Sequence, residues 1–143
     1  MTGTVSRSRI VAAPIGRVWE AIADAHEFAT WFGGTLDGPF EIGREVTGRE
    51  EAEDIPIRMR IVAMEPPDRL VFDWPAFHER RMLDHLPWTR VEFRLTEVPE
   101  GTRVEVTETG FDRLPPEVRA TVVRQHGEGW AAQLGSLGRH LGG

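Results

Sequence analysis

The chain has no cysteine, and its 143 residues contain no lysine, asparagine or tyrosine either. The first absence excludes disulfides, thiolate metal ligands and a cysteine nucleophile. The other three residue types share AT-rich codons, so a basic set of 17 arginines points to a GC-rich bacterial genome rather than to selection for guanidinium chemistry. No apolar run approaches the ~18 residues of a membrane span. Met1-Thr2-Gly3-Thr4 lacks the basic and apolar regions of a signal peptide, so no membrane insertion is expected and the cytoplasm is the expected compartment. With a net charge of -6 and arginines scattered along the chain, there is no basic stripe to follow a phosphate backbone, which argues against nucleic acid as a partner. Serine occurs only at Ser6, Ser8 and Ser136, none of them in a G-x-S-x-G elbow. No P-loop and no G-x-G-x-x-G fingerprint follows a strand, and no cofactor is expected.

What is present is the composition of one globular domain. Hydrophobic residues make up 40% and charged residues 28%, and a chain of this length buries roughly two thirds of its unfolded surface. Val5 to Ala12 has the pattern of a first strand, and Ala13-Pro14 then opens a helix in which Ile15, Val18, Trp19 and Ile22 recur at i, i+3, i+4 and i+7. A second short helix carries Phe28, Trp31 and Phe32 and is stopped by Gly33-Gly34. From Thr35 the pattern changes to alternating segments separated by turn residues. Ile57, Met59, Ile61 and Ala63 share one face of a strand, as do Leu70, Phe72 and Trp74, then Val91, Phe93 and Leu95, then Val104 and Val106. Pro99-Glu100-Gly101 joins the last two strands as a tight hairpin. Pro115-Pro116-Glu117 opens a long final helix, about Glu117 to Leu141, striped by Val118, Val122, Val123, Trp130, Leu134, Leu137 and Leu141. Its glycines Gly127, Gly129, Gly135 and Gly138 each cost ~1 kcal/mol relative to alanine in a helix interior. They imply either close approach to the sheet or a break near Gly127-Glu128-Gly129.

The expected fold class is therefore α+β: strand, two helices, about six antiparallel strands, long helix. This order resembles the helix-grip fold of the Bet v 1-like/START (SRPBCC) superfamily. Within it the branch is that of the C-terminal domain of the activator of the heat-shock-protein-90 ATPase. The residues that carry the likeness are Ala13-Pro14 with Val18-Trp19, Trp31-Phe32, Arg69-Leu70-Val71-Phe72 after Pro66-Pro67, the strand pair Arg90 to Thr109, and Gly129-Trp130 with Leu134 and Leu137. The resemblance covers nearly the whole chain as a single domain, residues 1–143. It implies a bent seven-stranded antiparallel sheet gripping the last helix, with a cavity between them that holds an apolar or amphipathic small molecule without catalysis. It also implies two other functions: an interaction module acting on a chaperone or another protein partner, and a polyketide-cyclase-like or hydratase-like enzyme.

The cavity candidates are Met59, Ile61, Phe72, Trp74, Phe93, Leu95, Trp130 and Leu134, with Trp31 at the rim and His126, one turn before Trp130, as a polar group. Residues of these types at these spacings also fill ordinary cores. Pro75 to Pro87 is longer than the about 2 to 5 residues of a hairpin loop. It carries Phe77, Met82, Leu83 and Leu86, and is expected to be a lid or entrance loop, the alternative being a solvated surface insertion without a role. No pair of histidines sits at i, i+4, so His78, Asp84 and His85 make no metal site by spacing, and none is expected. No catalytic residue is assigned. Acid/base chemistry by His126, Glu105 or Asp73 stays open, although Asp73 and Glu105 alternate away from the apolar faces and a histidine placed like His126 commonly caps a core edge with a hydrogen bond. The run Arg49 to Asp54 reads as an exposed charged loop, the alternative being a patch that meets a basic surface on a protein partner.

Overall fold

The computed structural model describes residues 3–76 and 87–142. Strand β1 (Thr4–Val11) is followed by helices α1 (Ile15–Ala23) and α2 (Ala25–Phe32). Six strands come next: β2 (Gly34–Leu36), β3 (Glu45–Glu50), β4 (Ile55–Glu65), β5 (Arg69–Pro75), β6 (Trp88–Val98) and β7 (Gly101–Thr109). A single 3-10 turn (Phe111–Arg113) then leads into α3 (Pro116–His140). The seven strands form one antiparallel sheet in the order β1-β7-β6-β5-β4-β3-β2. The two short helices carry the chain from one edge of that sheet to the other, and five hairpin connections bring it back to β7 beside β1. This is the expected α+β helix-grip architecture.

Local chemistry sets the helix boundaries. Asp24 ends α1 and caps α2, its carboxylate accepting from the Glu27 backbone N–H at 3.2 Å. Gly33 ends α2 with φ at 101°, a conformation glycine adopts without strain, and its N–H bonds the Ala29 carbonyl. α3 runs unbroken through its glycines. The side chains of Arg7 and Arg9 on β1 lie over Gly127 and Gly138, so at these two positions the close-approach explanation holds rather than the helix break. No helix among the described residues is long and apolar enough to cross a membrane.

Most strands have one buried and one wet face, with Val71 on the outer face of β5 buried as well. Leu70, Phe72 and Trp74 on β5, Val91, Phe93 and Leu95 on β6, and Val104 and Val106 on β7 all point into the core. Alternation on β4 departs from expectation. A register shift between Ile61 and Ala63 pairs Ala63 with Val71 and Met64 with Leu70, so after Ile61 it is Met64 that packs on the core. The outer face carries ion pairs such as Arg90 to Asp73 at 2.8 Å and Arg69 to Glu92 at 2.6 Å.

Side-chain bonds fasten α3 to the end of α2. Gln133 donates to the Phe32 carbonyl at 3.0 Å and Ser136 to the Trp31 carbonyl at 2.5 Å, satisfying carbonyls that a helix end leaves open. One turn further on, Glu27 takes hydrogen bonds from Arg17 at 2.5 Å and His140 at 2.7 Å. The Arg17 bond, over the opposing effect of burial and with help from His140, holds the Glu27 carboxyl below its ordinary pKa. These contacts fix the C-terminal half of α3 against the two short helices.

Candidate functional site

Strand alternation on β7 sends Thr102, Val104, Val106 and Glu108 to the core face, and all four are buried. Glu108 is 0% exposed. Its Oε2 accepts from Trp74 Nε1 at 2.9 Å and from Thr89 Oγ1 at 2.5 Å. Its Oε1 accepts from Trp130 Nε1 at 2.8 Å and meets His126 Nδ1 at 2.9 Å. One carboxylate thus joins β5, β6, β7 and α3, with its acceptor sites matched to four donors. Burial alone would push this carboxyl up. The bond and charge of His126, with the bonds from Thr89 and Trp74, outweigh that and hold the pKa of Glu108 below the ordinary glutamate value. An ionised carboxylate can only accept, so His126 Nδ1 is the donor.

The indoles that hold Glu108 also form a wall. Trp74 and Trp130 stack with centroids 5.4 Å apart, and Phe32 meets both edge-on at 6.1 and 6.3 Å. His126 stands edge-on to Trp74 on one side and to Phe111 on the other. Against this wall, between the β3–β4 hairpin, the end of β5 and α3, lies a pocket of about 500 Å³. Phe32, Ile55, Ile57, Trp74, Ala76 and Val122 give it an apolar surface, and Glu50, Glu53, Gln125, His126 and Gln133 supply polar groups. A smaller recess of about 250 Å³ continues along α3 and reaches Trp130. Gly129 lines both, and a side chain there would meet nothing within 4 Å, so this helical glycine borders open space rather than the sheet.

A larger depression, about 660 Å³, opens at the outer rim beside Trp88, Arg90 and Arg113. Its cations are already engaged. Arg90 grips Asp73 through two bonds of 2.8 and 3.1 Å, and Arg113 bonds the Trp88 carbonyl. The smaller pocket on the core side is the better candidate because aromatic surface and convergent polar groups meet there.

A family model described as Activator of Hsp90 ATPase homolog 1-like protein matches residues 12–142. The chain belongs to this family. No curated protein matches at a significant level. Among solved structures, protein MLL2253 from Mesorhizobium loti is 22% identical, with a TM-score of 0.79 and 96% of each chain covered, a likeness of fold. DynU16, a protein in the dynemicin biosynthetic locus, is 28% identical with a TM-score of 0.78. That match spans 97% of this chain and 47% of DynU16, so this chain corresponds to about half of that protein. CalU16 from Micromonospora echinospora is 25% identical, with a TM-score of 0.64 and coverage of 96% and 74% respectively.

Within this Hsp90 ATPase activator-like fold, the residues expected from sequence to line a cavity divide into two groups. Trp74, His126 and Trp130 come together on the pocket wall and the Glu108 network. Met59, Ile61, Phe72, Phe93, Leu95 and Leu134 lie deeper, each no more than 4% exposed, in the buried core. Trp31, expected at the rim, is inside: its indole N–H bonds the Ala21 carbonyl at 2.8 Å, and it is Phe32 that faces the pocket. The lid residues Phe77, Met82, Leu83 and Leu86 and the His78, Asp84, His85 group lie outside the described residues. Asp73 and Glu105 point away from the core, Asp73 being bonded to Arg90. Glu108, the centre of the network, was not among the expected site residues. Its signal was continuation of the Val104, Val106 alternation by one more step.

Proposed function

We propose that the protein binds an apolar or amphipathic small molecule, without transforming it, in the pocket between the sheet and α3. The observation that carries this reading is the pocket of about 500 Å³ that Phe32, Trp74 and Val122 line beside Gly129, at the edge of the buried core. Apolar burial supplies the affinity, roughly 25 cal/mol per Å² of ligand and wall removed from water. Gln125, His126 and Gln133 orient the polar end. The likeness to DynU16, from a biosynthetic locus, supports a small-molecule ligand. A cytoplasmic location in a bacterium belongs to the same reading.

One observation favours a second function. A buried carboxylate that fixes the tautomer of an imidazole on a pocket wall is the arrangement of an oriented general base, as a cyclase-like or hydratase-like enzyme would use it. Native mass spectrometry of protein isolated from its own cells tests both. A retained small molecule of unchanged mass supports binding, and a retained molecule converted to a new mass on incubation supports catalysis. Recovery of bare protein from every preparation, with no response of the Trp74 or Trp130 signals to aromatic probes, contradicts both. A chaperone-directed module predicts that Trp74→Ala leaves capture of the protein partner unchanged.

A further inference from the structure

The two edges of the sheet differ. β2 on one side is three residues long, whereas β1 on the other runs for eight and pairs only with β7. In an antiparallel ladder, successive residues turn their N–H and C=O groups alternately towards the neighbour and away from it. Val11 turns its carbonyl to Gly101 at the start of β7, so the odd-numbered residues of β1 face β7 and Thr4, Ser6, Ser8 and Ile10 face outward. The Ser6 carbonyl accordingly accepts from the Arg7 guanidinium at 2.8 Å. No other hydrogen bond among the described residues reaches these outward backbone groups. Ser6, Arg7, Ser8, Arg9 and Ile10 are exposed in succession, whereas buried residues alternate along β6 and β7. Val11 pairs with Thr102, so this stretch runs towards the β6–β7 hairpin, at the end of the sheet away from the β5–β6 connection.

The open edge is charged with one sign. β1 carries two arginines and no carboxylate. Both side chains lie along α3, Arg7 over Gly127 and Arg9 over Gly138, where the missing Cβ leaves room for them. Neither has a carboxylate partner among the described residues, in a chain whose net charge is -6. Glu128 on α3 and Glu105, opposite Ser8 on β7, form no ion pair with them. A second copy of the chain does not suit this edge. With outward residues facing each other, the registers that join most of the strand set Arg7 opposite its own counterpart or opposite Arg9 of the other copy, and like charges directly opposite are destabilising. We propose that the edge of β1 takes up an extended acidic segment of another protein as an added strand. Carboxylates at alternate positions of that segment meet Arg7 and Arg9, which stand two residues apart on one face and so match the period of a strand. Its backbone closes the bonds that Ser6, Ser8 and Ile10 leave open. This surface is separate from the pocket, and its role does not depend on what the pocket holds.

The test uses the full chain and two acetylated, amidated seven-residue peptides. In one, glutamate alternates with valine and threonine, and in the other lysine takes the place of glutamate. Isothermal titration calorimetry at low and high salt gives the affinities, and ¹⁵N–¹H spectra locate the contact. The glutamate peptide is expected to bind about tenfold more tightly than the lysine peptide. It should lose that advantage at high salt, and it should shift the backbone amide signals of Ser6, Ser8 and Ile10. The Arg7→Gln/Arg9→Gln double variant, changed at exposed positions only, should lose most of the advantage. Ser8→Pro takes away one outward N–H, a change that edge strands tolerate, and should abolish binding. Slowed hydrogen exchange at the Ser6, Ser8 and Ile10 amides on adding the glutamate peptide reads the same contact in the unaltered chain. Equal binding of the two peptides, an advantage that survives the double variant, or shifts that leave β1 untouched overturn the proposal. So do unchanged binding by a folded Ser8→Pro chain, binding of neither peptide, and a dimer of the chain alone that Ser8→Pro dissociates.

Discussion

Replacing Glu108 with glutamine changes one oxygen to an NH₂ group and removes the charge, while keeping the shape. The structure allows the cost to be worked out for either orientation. If the amide nitrogen takes the Oε2 position, the Thr89 hydroxyl can rotate to accept, but the Trp74 N–H, at 2.9 Å, faces another donor. If it takes the Oε1 position, His126 can change tautomer, but the Trp130 N–H, at 2.8 Å, is left opposed. One indole N–H is orphaned in both cases, at about 1–3 kcal/mol. Charge-assisted bonds to the remaining donors also become ordinary ones. A loss of about 2–4 kcal/mol is expected for Glu108→Gln, partly offset by burying a neutral group. The acid limb should change too. The folded-state pKa of Glu108 is depressed, so its contribution is present above the unfolded glutamate value of about 4.3 and is lost as pH falls through the lower folded value. The variant should therefore lose less stability between neutral and acid pH than the parent. Urea unfolding followed by circular dichroism at several pH values measures both quantities. A loss below about 1 kcal/mol at pH 7, or an unchanged acid limb, refutes the network as described.

Trp130→Ala removes a side chain that is 3% exposed along with one donor to Glu108, and should cost about 3–5 kcal/mol in chemical unfolding. Two glycines should respond in opposite directions to alanine. Gly129→Ala meets nothing within 4 Å and should stabilise α3 by about 0.5–1 kcal/mol. Gly48→Ala would place its Cβ 1.9 Å from the Thr35 carbonyl oxygen, and should lower the melting temperature by prising β2 from β3. Glu27→Gln weakens the clasp to Arg17 and His140. A loss of about 0.5–1 kcal/mol at neutral pH that disappears in acid is expected, because the depressed carboxyl stabilises only above its unfolded pKa.

The fold was legible because period-2 and period-3.6 patterns followed each other cleanly: Leu70, Phe72, Trp74 and Val91, Phe93, Leu95 alternate, and Trp130, Leu134, Leu137, Leu141 recur at helical spacing. The site was legible in part. Trp74, His126 and Trp130 stand out by residue type, but the carboxylate that unites them lies on another strand, and its donors come from positions 74, 89, 126 and 130. A glutamate two residues beyond Val106 is ordinarily the solvated end of a strand. Only tertiary structure, bringing four donors to one point, makes its burial tolerable. The β4 register shift leaves no mark in a sequence where Ala63 and Met64 are both acceptable core residues. For Trp31 and Phe32, one helix residue apart, choosing between core and pocket wall depends on how α2 rotates against α1, which the Trp31 to Ala21 bond settles.

The small molecule is proposed to sit in the pocket beside Phe32 and Trp74, with Trp130 in the adjoining recess along α3. The most direct measurement is a two-dimensional ¹⁵N–¹H spectrum of the five tryptophan indole N–H groups during titration with 1-naphthylmethylamine and 1-naphthalenemethanol. The Trp74 and Trp130 signals, both bonded to Glu108, should shift saturably, while Trp88 on the outer face stays in place. Shifts confined to Trp88, or no shift at Trp74 and Trp130 with either probe, would contradict the account.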